Sequence, residues 1–427
     1  MLSSHRFMKL GSIRKPLLQV MSGAVLAQLI TLAVVPLLTR LYSPEQFGQF
    51  GVFMSVSGIL SAVFCLRFEL AVYACRTERQ ARATVVLGGL FAFINLVFFS
   101  CVAMFSGVYA GLLPEGIEPA LLFVPLASAA IAVFLLLSNY LGWRQQFKVV
   151  AVAKVVRSAA IAIAQTVMVI LPSIGLVLGD VVGRVLSLFM LCSKSGQSVR
   201  NRRPLRRRFY LSLIRRHRRF IRISTPAALL NVSVTQAPTV FLAALFSIEA
   251  AGFYALAQKV MAAPMVLIGQ AVSQVYNAQF SRLWKSHRSA CHSMLQRAML
   301  RLFLIGLGPM LLLAMIAPWL FSWLLGAQWE KVGEFVRILA PMFLAQFVVS
   351  PFINLTAIAN KQGTLFLWDS LRLILVVACF VLSAQTAASA EVALVGFSLG
   401  MSVCYLLMYV LLNRIASSKE TVIGGVE

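Results

Sequence analysis

Acidic residues are scarce in this chain. Its 427 residues include 13 Asp+Glu against 38 Lys+Arg, and only 12% are charged while 60% are hydrophobic. A soluble domain carries roughly 25% charged and 45–50% apolar residues, so an ordinary water-soluble enzyme is excluded. Histidine is nearly missing, with 4 residues, and the 7 cysteines form no Cys-x-x-Cys pair. Cys65, Cys101, Cys192, Cys379 and Cys404 lie in apolar stretches, so neither a disulfide framework nor a zinc site is expected. No G-x-x-x-x-G-K-[ST] and no HExxH occurs, which removes an ATP-driven pump and a zinc peptidase. Long polar segments able to fold as a separate soluble domain are missing as well.

What is present is a series of apolar runs. They fall at about 17–39, 46–67, 83–107, 120–141, 150–171, 173–193, 223–247, 253–276, 298–325, 336–357, 364–385 and 391–413, each long enough to cross a bilayer as a helix. The expected fold is all-α and polytopic, with twelve transmembrane helices in two six-helix lobes. Residues 1–193 make the first lobe, 194–222 a basic cytoplasmic linker and 223–427 the second lobe. Arg6, Lys9, Arg14 and Lys15 precede the first run, which is too long for a signal-peptide core and reads as a retained span.

Charge then fixes the expected orientation. With the N-terminus inside, the inner segments carry most of the cations. The outer loops hold only Arg40, Lys331 and Arg337 beside Glu45, Glu115, Glu118, Glu249, Glu330, Glu334 and Glu391. By the positive-inside rule both termini are expected in the cytoplasm, the membrane being the cytoplasmic one. The formal net charge of +25 is therefore read as orientation signal and contact with anionic lipid, with no nucleic-acid partner. The stretch Lys194–Arg222 concentrates that charge. Its interleaved Phe209, Tyr210, Leu213, Ile214, Phe220 and Ile221 suit either a helix lying in the membrane interface or a plain basic linker.

An internal echo pairs the halves. Ser43, Glu45, Gly48 and Phe50 recur with identical spacing as Ser247, Glu249, Gly252 and Tyr254, and Pro36 and Pro238 precede the two copies. Both copies follow a span that starts from the cytoplasm, which implies a parallel repeat about an axis along the membrane normal, a transporter signature.

Ionisable residues within spans are expensive and mark pathways or pairs. Asp180 and Arg184 share one helix face at a spacing of four, as do Asp369 and Arg372 at three. Lys259 lies about 10 Å into its span at 1.5 Å per residue from Gly252. One reading makes Arg184, Lys259 and Arg372 the cationic lining of a wet cavity, with Asp180 and Asp369 as proton or sodium sites. The other has each pair neutralise itself and Lys259 snorkel to the interface. Arg67 and Glu69 are expected to organise a helix end. No catalytic residue, metal site or cofactor is expected, H+ or Na+ coupling being left open. Gly396-Phe397-Ser398-Leu399-Gly400 matches a nucleophile elbow but sits within a span, where small residues serve helix packing.

The stretch Leu37-Leu38-Thr39-Arg40-Leu41-Tyr42-Ser43-Pro44-Glu45-Gln46-Phe47-Gly48 resembles the first-loop signature of bacterial polysaccharide (O-antigen-type) flippases, in the multidrug/oligosaccharidyl-lipid/polysaccharide exporter superfamily. Arg67-Phe68-Glu69-Leu70-Ala71 is similar to that family's motif closing the second span. Phe253 to Val275 and Trp329 to Pro351, with Ile338-Leu339-Ala340-Pro341, resemble its later motifs. Arg40, Glu45, Gly48, Arg67, Glu69, Glu249 and Gly252 thus stand at family-motif positions. The resemblance implies alternating access, a cationic lumen and a substrate made of an oligosaccharide on a polyprenyl pyrophosphate. It implies a place in lipopolysaccharide, capsule or exopolysaccharide assembly, beside other polysaccharide-assembly membrane proteins. A cation-coupled multidrug exporter and a membrane glycan polymerase or ligase are the alternatives.

Overall fold

The computed structural model describes residues 10–105, 118–171, 174–200, 207–286, 288–359 and 361–417. Among them there is no strand, and twelve helices have 20 residues or more. We number these α1 (Leu10–Leu41), α2 (Pro44–Phe64), α3 (Glu78–Phe105), α4 (Val124–Trp143), α5 (Phe147–Val167), α6 (Gly175–Arg200), α7 (Thr225–Leu245), α8 (Ile248–Ser286), α9 (Arg288–Leu325), α10 (Glu330–Val349), α11 (Gln362–Gln385) and α12 (Ala390–Ser417). Backbone groups in hydrocarbon must be satisfied within the segment, which leaves the helix as the form these runs can take. Ten of the described helices are long and apolar enough to span a membrane. The other two long ones are α5, which carries Lys148, Lys154 and Arg157, and α8, which carries Lys259 among several glutamines.

The chain divides into two compact units, Met1–Gly252 and Phe253–Glu427. The sequence places its lobe boundary earlier, at 194–222, where composition changes. Contacts divide differently because α7 lies along α2 and the start of α8 lies against the start of α2, so both stay with the first unit. In the first unit α5 packs on α1 and α6, and α4 on α2, α3 and α6. In the second, α10 packs on α9 and α12, and α11 on α12.

The basic segment is no free linker. Helix Arg207–Arg216 buries Leu213, and Phe209, Tyr210, Ile214, Phe220 and Ile221 pack on the apolar cluster of the first unit. Its apolar face therefore meets protein, where the sequence allowed for lipid. Arg79 stacks 5.1 Å from the Phe209 ring centre, and buried His217 meets Phe68 edge-on at 6.3 Å and Phe220 at 5.9 Å.

Both copies of the repeated motif are helix starts. Ser43 caps α2: its Oγ accepts from the Gln46 N–H at 3.3 Å, while Gln46 Oε1 accepts from the Ser43 N–H at 2.8 Å. Ser247 Oγ accepts from the Ala250 N–H at 3.0 Å at the start of α8. Glu45 and Glu249, both exposed, stand in these first turns, where the helix dipole favours a negative charge. The two glycines then meet. A Cβ on Gly48 would overlap the Ile248 carbonyl oxygen, and one on Gly252 would overlap that of Pro44 and come within 2.8 Å of the Gly48 nitrogen.

Candidate functional site

The charges buried in the first unit converge on α5 and α6. Glycines 175, 179 and 183 on α6 lie so close to α5 that added methyl groups would collide with Met168, Gln165 and Ile161. That close approach sets the neighbouring polar face of α6 beside the middle of α5. Arg184 donates through Nε to Asp180 Oδ2 and through NH2 to Asp180 Oδ1 at 3.0 Å, and NH2 also lies 3.4 Å from Met54 Sδ on α2. Asp180 is 2% exposed and Arg184 9%.

Arg157 completes the cluster. Its guanidinium carbon stands 4.2 Å from the Phe134 ring centre, within electrostatic range of both Arg184 and Asp180, and Lys154 interacts with it one turn away. Lys154 and Arg157 are half-buried, and neither has a carboxylate within 4.0 Å among the described residues. The group is a chain of three cations, Lys154 beside Arg157 and Arg157 beside Arg184, with one carboxylate, a formal excess of two positive charges within the helices of the first unit. Charges of like sign at such depth demand an anion or water.

The sequence pointed to Arg184 and Asp180 but did not single out Lys154 and Arg157, which its apolar run 150–171 contains. Helix α5 begins at Phe147, so Arg157 stands about 15 Å along it at 1.5 Å per residue. The available signal was their spacing of three on one helix face.

The second unit holds a different arrangement. Arg372 NH1 donates to Asp369 Oδ1 at 3.0 Å and NH2 to the Tyr405 hydroxyl at 3.3 Å. Its guanidinium carbon lies 4.3 Å from the Trp368 ring centre and 5.4 Å from that of Tyr405, and Trp368 Nε1 donates to the Cys404 carbonyl at 3.1 Å. Both members of the pair are 4% exposed. This is a neutral, enclosed clamp joining α11 to α12. Lys259, on α8, is half-buried.

At the end of α2, Arg67 takes a left-handed conformation, φ 62°, and pairs with Glu69 at 3.1 Å. Burial raises the Glu69 carboxyl above its usual range, opposed by the Arg67 charge and by hydrogen bonds. Asn139 Nδ2 donates to the Glu69 carbonyl at 3.0 Å and Trp143 Nε1 to that of Cys75 at 3.2 Å, which ties this segment to α4. Arg40 is exposed in the last turn of α1. Among the described residues no group of three or more His, Cys, Asp or Glu is placed to hold a metal.

Two helical units, each with charges buried among its helices, make a polytopic all-helical fold that solved membrane proteins share. A lipid II flippase, MurJ, in an inward closed conformation superposes with a TM-score of 0.71 at 13% identity, covering 93% of this chain and 89% of that one. An inward-facing multidrug resistance MATE family transporter of the MOP superfamily gives 0.69 at 11% identity, covering 91% and 94%. A MOP superfamily transporter from Pyrococcus furiosus, described as having a binding pocket of reverse polarity, gives 0.59 at 12%, covering 94% and 95%. No curated protein matches the chain by sequence. The profile of the polysaccharide biosynthesis protein family matches residues 37–334. The chain belongs to that family.

Proposed function

We propose that the protein is a flippase that carries a polyprenyl-pyrophosphate-linked oligosaccharide from the inner to the outer leaflet of the cytoplasmic membrane by alternating access. The observation that carries this reading is the excess of positive charge formed by Arg157 and Arg184 beside the single carboxylate of Asp180, with Lys154 next to Arg157. A diphosphate cannot cross hydrocarbon unpaired. Lys154 and Arg157, one turn apart on α5, supply the missing partners, and the guanidinium of Arg157 can engage phosphate oxygens bidentately. Lys259 is a candidate for a second contact, whereas Arg372, enclosed by Asp369, Trp368 and Tyr405, is better suited to holding α11 on α12.

Both termini are cytoplasmic in this reading, and the exposed arginines of the basic segment face anionic lipid. The protein performs no covalent chemistry. Energy comes from an H+ or Na+ gradient or from consumption of the glycan outside. Asp180 is the coupling candidate in the first unit and Asp369 in the second, and an ion at either would have to displace an arginine. Other polysaccharide-assembly membrane proteins are the expected partners.

The MATE-like fold also fits a cation-coupled multidrug exporter, but a cluster with two excess positive charges repels a cationic drug. The test is export of surface glycan in cells carrying Lys154→Ala, Arg157→Ala and the double variant at wild-type membrane levels. We expect a loss of tenfold or more, with Arg157→Lys retaining part of the activity. Wild-type export by the double variant, or sodium-coupled efflux of a cationic dye, would overturn the reading.

A further inference from the structure

The second unit carries a cation on the surface of a helix long and apolar enough to span a membrane. Arg337 is exposed on α10, about 10 Å beyond Glu330 at 1.5 Å per residue and inside the spanning stretch Ala327–Ile358. We propose that its guanidinium binds the phosphate of a singly charged anionic phospholipid, at a site separate from the cationic cluster of the first unit.

A proline sets the position of this side chain. Pro318 lies inside α9 and has no N–H, so the helix supplies no donor to the carbonyl of Ala314, four residues earlier. Arg337 supplies one, its Nε donating to the Ala314 oxygen at 3.1 Å. The helices come this close because Gly333, one turn before Arg337, packs on Pro318, and an added Cβ there would overlap the proline backbone. The bond uses one N–H and fixes the guanidinium in place, while NH1 and NH2 make no hydrogen bond among the described residues. Glu334, three residues earlier on the same helix face, is exposed and forms no ion pair within 4.0 Å with Arg337.

The surroundings and the charge point to one occupant. Leu311 and Met315 flank Ala314 on α9, with Trp319 and Trp323 beyond them, and all four are more than half exposed. The two indole rings stack 6.3 Å apart. Exposed leucine and methionine on a spanning helix meet acyl chains, and tryptophans mark the level of the headgroups. A guanidinium among them is costly until an anion reaches it, and NH1 and NH2, held in one plane, match two phosphate oxygens. A phosphodiester such as phosphatidylglycerol brings the single negative charge that balances one cation. Phosphatidylcholine brings its own cation, and a diphosphate would leave surplus negative charge in hydrocarbon one helical turn from Glu334. Arg297 and Arg301 lie at the opposite end of α9, so by the positive-inside rule the site belongs to the outer leaflet.

The experiment places the full chain in phosphatidylcholine nanodiscs with a small fraction of phosphatidylglycerol carrying a diazirine near its headgroup, and maps the labelled peptides. A phosphatidylcholine bearing the same diazirine serves as the second probe. We expect the phosphatidylglycerol probe to concentrate in 311–323 and 334–341, and the phosphatidylcholine probe to label them no more than other lipid-facing segments. Arg337→Gln should cut the phosphatidylglycerol label there at least fivefold while label in 207–222 stays unchanged. Pro318→Ala returns a helical donor to the Ala314 carbonyl, so the charge stays but loses its anchor, and the label should fall at least twofold. Undiminished label in either variant, equal labelling by the two probes, or stronger competition by polyprenyl diphosphate than by unlabelled phosphatidylglycerol would overturn the proposal. The flippase reading is tested separately, by export in the Lys154 and Arg157 variants.

Discussion

At the scale of single residues, the two buried arginine–aspartate pairs have one spacing logic and two outcomes. Asp180 and Arg184 are joined by like-charged neighbours on α5, whereas Asp369 and Arg372 are sealed by aromatic rings. Intrahelical spacing made both pairs legible in the sequence, because residues three or four apart share a helix face. Their surroundings were not legible, since a pair's neighbours come from other helices. Removing one member of the enclosed pair strands a buried charge, which costs about 3–5 kcal/mol. Arg372→Met should therefore lower the thermal unfolding midpoint in detergent clearly, and Asp369→Leu/Arg372→Met should recover most of the loss. An unchanged midpoint for Arg372→Met would show that the clamp does not hold α11 to α12.

At the scale of elements, the repeated motif was visible as a spacing, and its physical reason is capping followed by close approach. Ser43 and Ser247 cap their helices, and Gly48 and Gly252 allow the two starts to touch. Any side chain at Gly48 strikes a backbone carbonyl that cannot turn aside, so Gly48→Leu should destabilise by at least the 1–3 kcal/mol typical of overpacking, about that of a misfitted core side chain. Maleimide labelling of Ser247→Cys should rise in the same background, and unchanged labelling would contradict the contact.

The basic segment was legible as charge but not as a docked element, because its few apolar residues look equally suited to lipid. Its docking should depend on pH. Burial, aided by Arg216, holds His217 below its ordinary value of 6.5, so the docked state binds fewer protons than the released one. The stabilisation is complete above that ordinary value and is lost as pH falls through the lowered one. Trypsin should cut 194–222 faster at about pH 5.5 than at about pH 7.5, and His217→Phe should abolish the difference. Equal cleavage at both values in the unaltered protein would contradict the docking.

At the scale of the whole molecule, the succession of twelve long helices was readable because hydropathy is a property of local sequence, although ten of them, not twelve, are apolar enough to span a membrane. The cationic cluster escaped because Lys154 and Arg157 lie on α5 while the Asp180–Arg184 pair they stand near comes from α6, a neighbourhood set by packing and not by local sequence. In the function proposed above, the net positive charge inside the first unit selects an anionic cargo over a cationic one.

The most direct measurement is translocation in proteoliposomes of a fluorescent sugar linked to a polyprenyl lipid, once through a diphosphate and once through an uncharged ether. We expect that the diphosphate form crosses and the ether form does not, and that Lys154→Ala/Arg157→Ala slows the former at least tenfold. Equal rates for the two lipids, or for the two proteins, would contradict passage of the diphosphate through the cationic cluster.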